Sequence, residues 1–170
     1  MPTPTTVEAL HLALERVAPL PLARLPLADV LGLALAEDVV SRDTIPPFVN
    51  SAMDGYAVRA ADVAAARADA PARLAVLEDV PAGRSATRPV APGTAIRIMT
   101  GAPLPDGADT VVKVEDTKQD GDAALILRAE KRGANVRAAG EDVRAGERAL
   151  AAGTALRPAE IGLLAALGVA

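Results

Sequence analysis

Three carboxylates and one hydroxyl stand where loops would hold them. Asp54 lies within Asn50-Ser51-Ala52-Met53-Asp54-Gly55-Tyr56-Ala57. Thr100-Gly101 follows an apolar run ending at Met99, and Glu141-Asp142 follow Gly140. Carboxylates are hard oxygen donors of the kind Mg²⁺ takes in small numbers, with water completing its shell. A threonine hydroxyl beside a glycine N–H suits a phosphate or another oxyanion. Ser51 and Asn135 add hydrogen-bonding groups, and Arg137 has the fork that pairs with anions. Each residue also has a plainer reading. Asp, Asn, Ser and Gly favour turns, Thr-Gly commonly caps a strand, and Asp106 and Asp109 flank Gly107 as turn formers would. On these residues alone the chemistry stops at an anion- or Mg²⁺-associated cleft built from three loops.

The elements that must position these loops can be read in outline. Thr5 and Glu8 fit a capping box, and Val7, Leu10, Leu14 and Val17 repeat with helical spacing until Pro19. Residues 27–31 predict a helical turn closed by Gly32, and Leu33–Val40 a short strand. Pro46-Pro47 stiffens the entry to the first loop, and Gly55 suggests a backbone conformation closed to other residues. Residues 60–73 read as a turn and an exposed loop. Leu74–Val80, Thr94–Met99, Asp109–Glu115 and Ala124–Ala129 are short Val/Ile/Leu-rich runs parted by Gly and Pro, which predict β-strands. Asp120-Gly121 marks a hairpin. Pro158–Leu167 predicts a helix with proline at its start and Gly168 past its end. The expected fold class is α+β. A β-rich, barrel-like lobe of coiled or bifurcated sheets at 45–140 is inserted into a small α/β lobe built from 1–44 and 141–170.

Composition excludes several classes of function. The chain has no Cys, which removes disulfides and thiolate chemistry and fits a reducing cytosol. Its one His, His11, sits in the first helical pattern and can build neither a triad nor a His-rich metal site. A net charge of −4 without a basic run argues against nucleic acid and anionic membrane. One Phe, one Tyr and no Trp leave no base-stacking platform. No apolar stretch approaches membrane-spanning length, and the first residues lack the basic-then-apolar layout of a signal peptide. A cytoplasmic location is expected.

Together the three loops carry a resemblance that none carries singly. Ile45-Pro46-Pro47-Phe48 through Asn50–Ala57 resembles the signature of the MoeA/gephyrin family of molybdopterin molybdenumtransferases. Ile98–Pro105 with Gly107-Ala108-Asp109 resembles its second motif, and Asn135-Val136-Arg137 with Gly140-Glu141-Asp142 its third. Glu115 stands where family members carry a Glu, and Pro158–Gly162 also matches. The resemblance spans nearly the whole chain. It implies insertion of molybdate into adenylylated molybdopterin (molybdopterin-AMP), with Mg²⁺ as cofactor and release of AMP. It implies a homodimer whose cleft lies between subunits, and a molybdopterin adenylyltransferase as pathway partner. By motif match, Asp54, Thr100 and Asp142 are the catalytic residues, supported by Ser51, Gly101, Asn135 and Arg137. Asp54 and Asp142 would orient Mg²⁺ or water, while Thr100 and the Gly101 N–H would bond substrate oxygens. Which carboxylate ligates metal stays open. The family's pterin-binding and C-terminal domains are absent, so the chain is expected to be inactive alone. The alternative is a non-catalytic dimerisation or partner-binding module.

Overall fold

A computed structural model describes residues 5–18 and 20–169. Its elements in chain order are α1 (Thr6–Leu14), β1 (Val39–Val40), β2 (Asn50–Ser51), β3 (Gly55–Val58), α2 (Ala60–Val63), β4 (Ala72–Val80), β5 (Thr94–Ile98), β6 (Thr110–Lys113), β7 (Thr117–Asp120), β8 (Ala123–Ile126), β9 (Val136–Arg137), β10 (Arg148–Leu150) and α3 (Pro158–Ala166). Residues divide into two units by contact, Val40–Ala149 and Met1–Val39 with Leu150–Ala170. The fold is mostly β with few helices, an α+β arrangement around a curled half-barrel sheet.

In the Val40–Ala149 unit, six strands form one sheet in the order β6-β3-β5-β4-β8-β7. Only the β4–β5 pair is parallel. Apolar side chains cover both faces. Tyr56, Val58, Ala95 and Val112 pack on one side with Leu74 and Ile126; Ala57, Ile96, Ile98 and Val111 pack on the other with Val80. Strands buried on both faces need apolar residues at successive positions. That is why β3 and β6 are buried at successive positions rather than alternating ones.

Three local expectations change. Residues 60–73 are not simply an exposed loop: α2 places Val63, and the following turn places Ala66, in the core. The turn at Gly121-Asp122 joins β8 to the short polar β7, whereas β6 pairs with β3. Sequence reading passed over β7 because Thr-Lys-Gln-Asp at a solvated edge has no apolar face to reveal it. Residues 141–149 belong with the β-rich unit. The N–H groups of Asp142 and Val143 donate to Ile45 O at 3.0 and 3.1 Å, and Gly146 N–H donates to Ser41 O at 2.8 Å.

In the other unit, α1 starts at the expected capping box. Thr5 N–H donates to Glu8 Oε2 at 2.7 Å, and Glu8 N–H to Thr5 Oγ1 at 3.3 Å. Its apolar side chains, Val7, Leu10 and Leu14, are exposed, as are His11 and, just past the helix, Val17. Pro19, the expected stop, lies outside the described residues. The turn Leu27–Asp29 is followed by Gly32 at φ +82°. Leu33–Val40 forms little strand: a bridge joins Ala34 to Ala155, and β1 pairs with β10. Leu156, Leu164 and Leu167 are buried around α3. Among the described residues no helix is long and apolar enough to cross a membrane.

Candidate functional site

The three chemistry-bearing loops meet on β2. On one edge, Asn50 and Ser51 pair antiparallel with Arg137 and Val136, and Ala52 N–H donates to Asn135 O at 2.9 Å. On the other, Ser51 N–H donates to Ala102 O at 3.0 Å and Gly101 N–H to Ser51 O at 2.9 Å. Leu104 N–H adds a bond to Val49 O at 3.0 Å. The first loop is thus the centre of a small ribbon, with the second and third loops on its edges.

That position explains its buried polar residues. Asn50 and Ser51 are buried, and buried polar groups need partners. Asn50 Nδ2 donates to Phe48 O at 3.1 Å. Ser51 Oγ donates to Met53 O and accepts from Met53 N–H, a side-chain turn that swings the chain outward to Asp54. Asn135 takes φ +56°, a left-handed conformation that Asn tolerates, and its Nδ2 donates to Val111 O at 2.8 Å. Gly55 does not use a left-handed φ. Its need for glycine is close approach: a Cβ there would collide with Val112 O and lie 2.9 Å from Lys113 Cα.

Asp54 is exposed at the ribbon's end. Its Oδ1 accepts from both Thr100 N–H and Thr100 Oγ1, each at 2.7 Å. These two bonds, the backbone one first, hold the Asp54 carboxyl below its ordinary range, and the charge of Arg97 adds to the effect. Asp54 is therefore a carboxylate at neutral pH, with Oδ2 turned to no protein donor among the described residues. Asp142 is held differently. Arg137 Nη2 donates to both its oxygens at 2.8 and 2.7 Å, and Arg137 Nε donates to Glu141 Oε1 at 3.4 Å. The carboxylates raise the guanidinium pKa still further, Asp142 most. Val114 N–H donates to Asp54 O at 2.9 Å, which brings the turn carrying exposed Glu115 beside the first loop.

All seven residues singled out in the sequence fall on the three joined loops. The Gly101 N–H bonds Ser51 O, and both Thr100 donors bond Asp54 Oδ1. Arg137 and Asp142 neutralise one another. Ser51 and Asn135 build the ribbon. Asp54 alone presents an unshared, charged oxygen. Among the described residues no group of three or more His, Cys, Asp or Glu side chains could hold a metal ion. The unshared Asp54 oxygen is a hard donor of the kind Mg²⁺ takes, but one carboxylate does not make a closed metal site. Sequence reading missed Arg97, which looks there like any surface arginine. Strand register was the signal that singles it out, because it pairs Arg97 with Tyr56, two residues from Asp54.

Comparison with known proteins shows the family. A family model described as MoeA N-terminal region (domain I and II) matches residues 5–168. Molybdopterin molybdenumtransferase 2 of Mycobacterium tuberculosis H37Rv is 48% identical over 145 residues, which cover 85% of this chain and 36% of that one. Molybdopterin molybdenumtransferase of Synechococcus elongatus is 43% identical over 164 residues, 95% of this chain and 41% of that one. The crystal structure of the molybdopterin biosynthesis moeA protein from Pyrococcus horikoshii OT3 superposes with a TM-score of 0.79 at 45% identity, over 85% of this chain and 38% of that one. The chain thus spans less than half the length of the curated relatives it matches. With the ribbon, the sheet and the sequence in agreement, the chain belongs to the MoeA N-terminal region family, domains I and II.

Proposed function

We propose that this region forms one wall of an active site that inserts molybdate into adenylylated molybdopterin, releasing AMP, in molybdenum cofactor biosynthesis. One observation carries the reading: three motif loops converge on an exposed, ionised Asp54 in a chain whose 40–48% identical relatives are named molybdopterin molybdenumtransferase. Asp54 is the working carboxylate and Thr100 its positioning residue. The two Thr100 bonds fix Oδ1, so Oδ2 keeps one direction. The Arg137–Asp142 pair holds the third loop against β2. Mg²⁺, when bound, would be held by Asp54 Oδ2 and would offset the charge of the substrate phosphate. Without a cation, a carboxylate beside an anionic substrate is repelled. A homodimer is part of the same proposal. Exposed Val7, Leu10 and Leu14 on α1 are suited to a second copy, and light scattering would read it. A molybdopterin adenylyltransferase would supply the substrate.

The test is a chimera in which this chain replaces the matching N-terminal region of a relative. It is expected to form molybdenum cofactor from adenylylated molybdopterin and molybdate in vitro. A chimera that folds and dimerises but forms none would leave a non-catalytic partner-binding module as the better reading.

A further inference from the structure

Two strands adjacent in sequence stand at opposite ends of the sheet. β6 ends at Lys113 and β7 begins at Thr117, yet they are the first and last members of the order β6-β3-β5-β4-β8-β7. In a flat sheet, five strand spacings of about 4.8 Å would part them by about 24 Å. The four Cα steps from Lys113 to Thr117 reach about 14 Å at most. The sheet must therefore curl until its two edges come together at this end, and the turn Val114–Asp116 is the seam. The seam stands against the first loop. Lys113 is the register partner of Gly55, and Val114 N–H donates to Asp54 O at 2.9 Å.

Asp116 closes that seam. Its side chain is only 21% exposed, and its Oδ2 is sealed from solvent without a hydrogen bond. Two cations flank this oxygen instead, Lys113 Nζ at 3.6 Å and Arg128 Nη1 at 3.9 Å. Lys113 ends β6, and Arg128 stands two residues past the end of β8 at Ile126. One carboxylate thus faces a cation from each side of the seam. Backbone bonds secure the same turn: Leu127 N–H donates to Asp116 O at 2.9 Å, and Thr117 Oγ1 donates to Val114 O at 2.8 Å. A buried carboxylate is costly unless opposite charge compensates it, and removing one member leaves the others uncompensated. Exposed pairs such as Arg67–Asp69, with side chains 69% and 82% exposed, carry no comparable constraint.

Asp54 is held from two sides. Thr100 fixes its carboxyl group, and Val114 fixes its main chain. We propose that Asp116 is a positioning residue for Asp54: with Lys113 and Arg128 it locks the seam, and the seam holds Asp54 through the Val114 N–H. The inference rests on the reading of Asp54 given above and deepens it. Asp116 acts through Val114 rather than on substrate. Loss of its charge would let the turn relax, free Asp54 O and spoil the direction of Oδ2 while the sheet itself stays folded.

Amide hydrogen exchange in the ¹⁵N-labelled chain reads the seam directly. Asp116→Asn keeps the side chain's shape and removes its charge. Exchange at Val114 N–H should accelerate about tenfold or more, while Val111 N–H, bonded to Ala134 O at 3.0 Å farther along β6, stays within about twofold. The Arg128 side chain is 65% exposed, so Arg128→Gln leaves the fold intact. It should accelerate the same amide about threefold and add nothing to Asp116→Asn. In the chimera, Asp116→Asn should lower kcat about tenfold with KM within about twofold. An unmoved Val114 amide, equal acceleration at Val114 and Val111, additive effects of the two substitutions, or an unchanged kcat would overturn the proposal. Exchange is read without turnover, so its failure is separable from failure of the chimera.

Discussion

Gly55→Ala probes the junction between sheet and site, and its cost can be worked from the structure. The new Cβ would collide with Val112 O and lie 2.9 Å from both Lys113 Cα and Val112 C. All three obstacles are backbone of β6, so no side chain can rotate away. Relief requires β3 and β6 to part at Gly55↔Lys113, where the register ties the first loop to the sheet. Overpacking typically costs about 1–3 kcal/mol. A backbone obstacle that also opens a ladder belongs at the top of that range, at least about 3 kcal/mol. For a unit of roughly a hundred residues each kcal/mol moves Tm by about 4 °C or more, so a loss of at least about 10 °C is expected. Gly83→Ala is the control. Gly83 has φ +82° with open space around its Cβ position, so only the left-handed cost of about 1–2 kcal/mol applies. Differential scanning calorimetry of both variants decides the matter. If Gly55→Ala melts within about 2 °C of the parent, or no lower than Gly83→Ala, the close-approach argument is refuted.

Other substitutions test separate links. Thr100→Val removes the hydroxyl bond to Asp54 but keeps the backbone one, so the Asp54 carboxyl pKa should rise toward the ordinary range in a ¹³C-detected titration; an unmoved pKa would mean the hydroxyl bond is not made. Glu160, bonded by Arg157 at 2.6 and 3.1 Å, has its pKa lowered from an ordinary 4.5 to about 2. A lowered pKa contributes stability above the unfolded value that is lost as pH falls from about 4.5 through about 2. Glu160→Gln should flatten that part of the acid-unfolding curve followed by circular dichroism at 222 nm; a curve parallel to the parent's would refute the pairing. Asn135→Ala loses the bond to Val111 O and strains a φ of +56°, for about 2 kcal/mol in denaturant unfolding. Asn135→Gly loses only the bond and should cost about half as much; equal losses would show that backbone strain plays no part.

How much the sequence discloses depends on which interactions are local. Buried strands announced themselves because two-sided burial demands apolar residues at successive positions, as in Val111-Val112. The capping box at Thr5 and Glu8 and the turn at Gly121 depend on residues a few positions apart, and both were legible. The polar edge strand β7 was not, because its pairing with β8 leaves no mark on Thr117–Asp120. The three loops were legible as motifs, and the bonds that join them were not. Asp54 and Thr100 are 46 positions apart, and nothing in either segment says that one bonds the other. Gly101 read as a free donor because its acceptor, Ser51 O, is supplied by a loop fifty residues earlier. Gly55 was recognised as special for the wrong reason, since the crowding strand β6 is equally distant in sequence.

The central claim is that Asp54 acts through its unshared oxygen while Thr100 only holds it in place. Turnover of Asp54→Asn in the chimera tests this most directly, because the retained amide oxygen still accepts both Thr100 bonds while the charge is lost. The expected result is a fall in kcat of about a hundredfold or more, with Tm within about 2 °C of the parent. A folded Asp54→Asn enzyme that turns over within about threefold of the parent would contradict it.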